Sequence, residues 1–290
     1  MNSNRRKFIK ISLLGSAASV WGSNLSAFSS EYKKDFLLGI CAGPDKSALL
    51  KQLGYDYIEP PVVEFLKPLE NDEAFQAELL KLKKSALPVI SCINFIPATL
   101  KSVGPEPLHD QILSYAETTF RRAGTAKMKY IVFGSGGSRR IPEGFAKDKA
   151  VAQFKELLSR MAPLAQKNNI IIVIEPLNKG EVNFINSLEE GAEIVNSVNH
   201  KNVRLLADIY HMLKENESPA EILKYGKLLY HCHIAEKETR SAPGIKGDDF
   251  RPYLDALRSA GYKGGISLEC RWNDFDSEAE SGLEHMKKIS

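Results

Sequence analysis

The chain has 290 residues, 43% of them hydrophobic and 26% charged, with a formal net charge of +3. These are the values of an ordinary globular chain that can bury a full core, and the length suits a single α/β domain of barrel size. Lys and Arg are interleaved with Asp and Glu throughout, so there is no basic stripe for a nucleic acid to follow.

The first thirty residues differ in kind. Asn4-Arg5-Arg6-Lys7-Phe8-Ile9-Lys10 precedes an apolar, small-residue stretch from Ile11 to Val20 and a Ser-rich stretch from Ser23 to Ser30. This is the composition of a signal peptide, and the paired arginines followed by Phe8, Ile9 and Lys10 resemble the twin-arginine export signal. The apolar stretch is too short to span a bilayer, and the lack of a polar face after Lys10 argues against a basic amphipathic helix. Residues 1–30 are therefore expected to be removed, with cleavage near Ala27 to Ser30. A catalytic domain of residues 31–290 then remains, exported to the bacterial periplasm without a membrane anchor. Twin-arginine export carries folded proteins, so a metal can be taken up before the membrane is crossed.

From residue 36 onward, short apolar or β-branched runs alternate with longer helical segments, the sequence form of repeated βα units around a parallel sheet. Strands are expected at Phe36 to Cys41, Tyr55 to Glu59, Pro88 to Asn94, Tyr130 to Phe133, Ile170 to Glu175, Val203 to Asp208, Leu228 to Ile234 and Gly265 to Glu269. The longest helix is expected over Lys147 to Lys167, with Pro163 kinking it or beginning a second piece. Eight such units without a linker predict an α/β fold of the (β/α)₈ TIM-barrel type. The rival open sheet lacks a Gly-x-Gly-x-x-Gly turn after the first strand. Cys41, Cys92, Cys232 and Cys270 fall within or just after strand-like runs and read as buried free thiols, a Cys41–Cys92 bridge being the alternative. Gly134-Ser135-Gly136-Gly137-Ser138 reads as a flexible loop before it reads as an anion cradle.

Barrel enzymes carry their chemistry at the carboxyl ends of the strands. Here the fifth to eighth strands end in Ile172-Val173-Ile174-Glu175, Leu205-Leu206-Ala207-Asp208, His231-Cys232-His233 and Ile266-Ser267-Leu268-Glu269. The four polar residues are 33, 25 and 36 positions apart, about one βα unit each, so their side chains should converge. Glu175, Asp208, His233 and Glu269 are the expected ligands of one divalent metal. Three carboxylates and one imidazole suit Mn²⁺, Mg²⁺ or Co²⁺, with Zn²⁺ admitted. Glu175 and Glu269, on opposite sides of the set, form the natural catalytic pair: one removes a proton beside a carbonyl and the other returns it, through a metal-stabilised enediolate. His231 shares the inward face of its strand with His233 and reads as a supporting or core histidine, while His109, His200 and His285 read as surface residues.

Glu175-Pro176-Leu177-Asn178 with Glu181 and Asn186, Asp208-Ile209-Tyr210-His211, His233-Ile234-Ala235-Glu236 with Arg240 and Pro243-Gly244, and the closing Glu269 together resemble the xylose isomerase-like superfamily. Its ketose 3-epimerase and hydroxypyruvate isomerase branches are the nearer ones. The resemblance implies the same metal ligands and proton-transferring pair, and it implies substrate contacts for Glu181, His211, Glu236 and Arg240. Ala235 stands where epimerases often have glycine, and Arg240 follows Glu236 by four positions instead of three.

The implied activity is isomerisation or epimerisation of a small carbohydrate, with no nucleic-acid partner and room for a homo-oligomer. An exported 3-keto-glycoside lyase or hydratase needs no different ligands, because proton abstraction beside a carbonyl ends in elimination when the next carbon bears a leaving group. An endonuclease IV-like nuclease would need many more histidines than six. A non-catalytic carbohydrate-binding barrel would have no use for the ligand set.

Overall fold

Eight short runs form parallel strands in the computed structural model, which describes residues 35–290. They are β1 (Leu37–Ile40), β2 (Tyr57–Ile58), β3 (Ser91–Cys92), β4 (Tyr130–Phe133), β5 (Ile171–Ile174), β6 (Val203–Asp208), β7 (Leu229–Ile234) and β8 (Gly265–Leu268). The expected signal peptide, residues 1–30, lies outside the described residues. The strand order is β2-β1-β8-β7-β6-β5-β4-β3, and the ladders are parallel. Parallel bridges Ile58–Val89 and Pro61–Ile93 join the two ends of that order, turning the sheet into a TIM barrel. β2 and β3 are the shortest strands, and prolines explain it: Pro60, Pro61 and Pro88 have no N–H to give to a ladder.

Alternation along the strands divides the apolar residues between two clusters. Ile172, Ile174, Leu205, Ala207, Ile266 and Leu268 point outward and join the large core under the helices. Ile93, Val132, Val173 and Leu206 point inward and form a separate cluster inside the ring. Tyr57 also fills the interior, and it can do so because Gly39 on the neighbouring strand has no side chain: a β-carbon there would lie 2.1 Å from the Tyr57 ring. Period-two alternation then dictates which residue each strand presents inward at its carboxyl end. Cys41, Glu59, Ile93, Gly134, Glu175, Asp208, His233 and Glu269 occupy those positions.

Three expectations need correction. The segment Lys147–Lys167 is one helix that contains Pro163, so the proline does not begin a second piece. Buried Leu157, Leu158, Met161, Ala162 and Ala165 on both sides of the proline anchor it to the barrel, and this packing outweighs the lost hydrogen bond. His109 is buried rather than superficial, with Nε2 2.9 Å from the Ser102 carbonyl oxygen. The four cysteines are free, so Cys41 and Cys92 are not bridged, but Cys41 and Cys270 are only half-buried. Among the described residues no helix is long and apolar enough to cross a membrane.

Candidate metal centre

Each of the four converging side chains is held by its own strand end. Glu175 follows β5, where its N–H donates to the Phe133 carbonyl at 3.3 Å. Behind it the buried Arg139 donates Nη1 to the Phe133 carbonyl (3.0 Å) and Nη2 to the Glu175 carbonyl (2.7 Å), tying the ends of β4 and β5 together. Asp208 caps the short helix Ile209–Lys214, its Oδ1 accepting from the Tyr210 N–H at 2.8 Å. That cap occupies one carboxylate oxygen and leaves Oδ2, buried and without a hydrogen-bond partner, for the site. Glu269 follows β8, with its N–H donating to the Ile234 carbonyl at 3.2 Å.

The ligand atoms of Glu175, Asp208, His233 and Glu269 all lie within 4.8 Å of one another. His233 Nδ1 is 3.0 Å from Glu175 Oε1 and 3.1 Å from Glu269 Oε2. Arg240 Nη2 is 2.6 Å from Glu269 Oε2 and 3.5 Å from Asp208 Oδ2. The Arg240 guanidinium also lies over the Tyr210 ring, 4.7 Å from its centroid. Asp208 and His233 are buried beneath the floor of a cavity of about 340 Å³, whereas Glu175 and Glu269 open into it.

The environments drive the carboxylates apart. Burial raises the Glu175 carboxyl, and the negative charge of Glu269 raises it further. Burial raises Asp208 to about 6, against the pull of Arg240. Glu269 goes the other way, to about 2, because Arg240 and His233 outweigh its burial. His233 is held well above the usual imidazole range: burial opposes its charge, but the carboxylates of Glu59 and Glu269 prevail.

Glu181, His211 and Arg240, the substrate-contact residues implied by the resemblance, all line the cavity. His211 Nδ1 accepts from the Asn178 backbone N–H (3.1 Å) and lies 2.8 Å from its side-chain amide, so its proton sits on Nε2, 3.4 Å from Asp208 Oδ2. Burial lowers this imidazole to about 4, which keeps it neutral. Glu236 is not in the lining. Both of its oxygens are engaged by backbone N–H groups, from Gly244 (2.7 Å) and Gly247 (3.2 Å) to Oε1 and from Asp248 (2.9 Å) to Oε2. This fully buried carboxylate organises the loop that carries Arg240, and the substrate contact expected of it is corrected accordingly.

The opposite wall is formed by Gly134 to Gly137 with Pro97 and Ala98. The Gly/Ser segment is not a loose loop: Ser135 Oγ accepts from the Ile96 N–H at 2.9 Å, and Ser138 Oγ donates to the Leu100 carbonyl at 2.6 Å. Asn94, Ser135 and Arg240 line this cavity with positive φ of 55°, 35° and 54°, a conformation that concentrates where a site demands it. The sequence shows Glu59 only as the last residue of the expected strand Tyr55 to Glu59. It is completely buried, 3.0 Å from His231 Nε2 and 3.3 Å from His233 Nε2. Its signal was the one that marked Glu175 and Glu269, a carboxylate ending an apolar run.

A sequence model of the family described as "Xylose isomerase-like TIM barrel" matches residues 47–289. The L-ribulose 3-epimerase of Methylomonas sp. (strain DH-1) is 27% identical over 258 residues, 81% of this chain and 87% of that protein. The D-psicose 3-epimerase of Agrobacterium fabrum is 27% identical over 228 residues, 75% of each chain. Among solved structures, the 3-keto-D-glucoside 4-epimerase of E. coli superposes with a TM-score of 0.74 at 21% identity, covering 87% of this chain and 99% of that one, a likeness of fold.

Proposed function

The chain belongs to the xylose isomerase-like TIM-barrel family, and from that premise we propose that it is a divalent-metal-dependent sugar isomerase or epimerase exported to the periplasm. One observation carries the reading. Glu175 and Glu269, three strands apart around the ring, both open into one cavity and both reach the Nδ1 edge of His233, with Asp208 in the same cluster. The epimerase relatives support the reaction class, and the twin-arginine-like residues 4–10 support the location.

The donor set fits a hard cation. It is rich in oxygen, its ligand atoms are close enough to share one ion, and Asp208 Oδ2 is a buried acceptor with no hydrogen bond. Glu175, Asp208, His233 and Glu269 would hold Mn²⁺, Mg²⁺, Co²⁺ or Zn²⁺. When bound, the ion supplies Lewis-acid polarisation of a carbonyl and its neighbouring hydroxyl.

The protein's own groups do the rest. Glu175 and Glu269 face the substrate from different strands, so one takes the proton beside the carbonyl and the other returns it to the opposite face of the resulting enediolate. His211 donates from Nε2 to a substrate oxygen. Arg240 and Glu181, 3.6 Å apart, grip hydroxyls at the cavity edge. Burial of Asp208 and His233 below the floor keeps water from those two ligands.

The test is turnover of a panel of free ketoses in D₂O by protein stripped of metal and then reloaded with Mn²⁺, Co²⁺ or Mg²⁺. Metal-dependent deuterium incorporation at the inverted carbon is expected, and equal activity of stripped and loaded protein would defeat the proposal. The wall of Gly134 to Gly137 and Ala98 favours one second reading, elimination from a 3-keto-glycoside, because these small residues leave room for an aglycone. Release of the aglycone from such a substrate in the same assay would select it.

A further inference from the structure

We propose that Glu59 is a positioning residue that orients His233 and decides which of its nitrogens faces the ligand set, an inference that rests on the metal-centre reading above. The two nitrogens of His233 have unlike surroundings. Nδ1 looks into the cluster, 3.0 Å from Glu175 Oε1 and 3.1 Å from Glu269 Oε2. Nε2 looks away from it, 3.3 Å from Glu59 Oε2. A ring that serves as a ligand through one nitrogen carries its proton on the other, and a carboxylate at hydrogen-bond distance fixes that choice. With a cation in the ligand set, Glu59 would keep the N–H on Nε2 and leave the Nδ1 lone pair for the cluster.

The support for Glu59 is itself built. Its backbone N–H donates to the Ile40 carbonyl at 2.9 Å, securing the end of β2 against β1. Its Oε2 also meets His231 Nε2 at 3.0 Å, and that nitrogen lies 3.5 Å from both Ser91 Oγ and Ser267 Oγ. The His231 ring stacks on Tyr130 with centroids 5.5 Å apart, and both it and Glu59 are wholly buried. Glu59 is therefore held from beneath by one imidazole and presented to the other. Burial leaves no water to replace it as acceptor for the His233 N–H. Cys41, whose sulfur lies in the same cluster as Glu59 and His233, offers only a weak acceptor. A ring freed from Glu59 can turn over or change tautomer, and either event withdraws a nitrogen from the ligand set.

The test compares the wild-type protein with Glu59→Met, which has no oxygen to accept from Nε2, and with Glu59→Gln, whose amide can face Nε2 with either its oxygen or its nitrogen, by Mn²⁺ titration calorimetry and by the visible spectrum of the Co²⁺-loaded form. The expected result for Glu59→Met is a loss of about 10–100-fold in metal affinity, with the thermal midpoint of the metal-free protein little changed. A purely structural Glu59 would shift that midpoint and leave affinity alone. The second measurement needs no variant: in ¹⁵N-histidine-labelled, Zn²⁺-loaded wild type, long-range ¹H–¹⁵N spectra should show His233 protonated at Nε2 and coordinated through Nδ1. If wild type binds metal but Glu59→Met binds it equally well, or if the spectra place the metal on Nε2, the role of Glu59 is overturned and the metal centre stands. If wild type binds none of these ions, the metal-centre reading fails and this inference falls with it.

Discussion

A β-carbon on Gly134 would stand 2.1 Å from Oε2 of Glu175, so the carboxylate occupies space that the missing side chain of the adjoining strand leaves open. The two residues follow β4 and β5, and Arg139 binds the backbone of both strand ends. The glycine here serves close approach, since its φ is not among the positive ones.

Gly134→Ala should therefore act on turnover more than on folding. The methyl group must push the Glu175 carboxylate aside, and a displacement of about 1 Å at a reacting group can cost about 100-fold in rate. A fall in kcat of that order with a small change in thermal midpoint is expected. Full activity in the alanine variant would mean that Glu175 has no fixed place in the reaction.

The same juxtaposition marks what a sequence can and cannot disclose. Ile171–Ile174 and Val203–Asp208 were legible as strands because both faces of a parallel barrel strand are buried, which writes a continuous apolar run. Glu175, Asp208 and Glu269 stood out because a carboxylate ending such a run is costly unless something holds it. Glu59 ends the run Tyr55 to Glu59 in the same way and was passed over because its partners, His231 and His233, are more than 170 residues distant. Glu236 was misread for a different reason. Its partners are backbone amides, which leave no trace in side-chain identity. The unbroken helix through Pro163 shows a local rule overridden by packing that only the assembled barrel supplies.

Glu269→Gln tests the proton-transfer assignment. The substitution keeps shape but removes the charge that Arg240 meets at 2.6 Å and that His233 Nδ1 meets at 3.1 Å. Turnover should vanish while part of the bound metal is retained, because Glu175, Asp208 and His233 remain. Metal content by elemental analysis, read beside deuterium exchange into substrate, separates the two effects. Unchanged turnover would contradict the role.

Glu236→Ala should behave as a loop mutation. Three backbone N–H groups lose a buried anionic acceptor, and charge-assisted bonds of this kind contribute about 1.5–3 kcal/mol each, not additively. A stability loss on the order of 3 kcal/mol in urea denaturation is expected, with KM rising because Arg240 shares the loop. The milder Glu236→Gln should weaken stability and KM together. A change in KM with no change in stability would instead return Glu236 to direct substrate contact.

Glu217 gives stability a pH dependence remote from the metal centre. It is partly buried and accepts from the Leu188 N–H at 2.8 Å. Burial raises its carboxyl from the ordinary value of 4.5 to about 7; the Leu188 bond opposes the rise, and Glu221, Glu215 and Glu189 add to it. A raised folded-state value means that the native protein holds a proton where the unfolded chain has released it. Stability should then be greatest below about pH 4.5 as far as this group is concerned, fall as pH rises towards 7, and level off above. Glu217→Gln is neutral throughout and keeps an oxygen for Leu188, so it should gain on wild type between pH 5 and pH 8. Urea midpoints of both proteins across that range provide the measurement, and a difference that does not vary with pH would show that Glu217 titrates as an ordinary surface carboxylate.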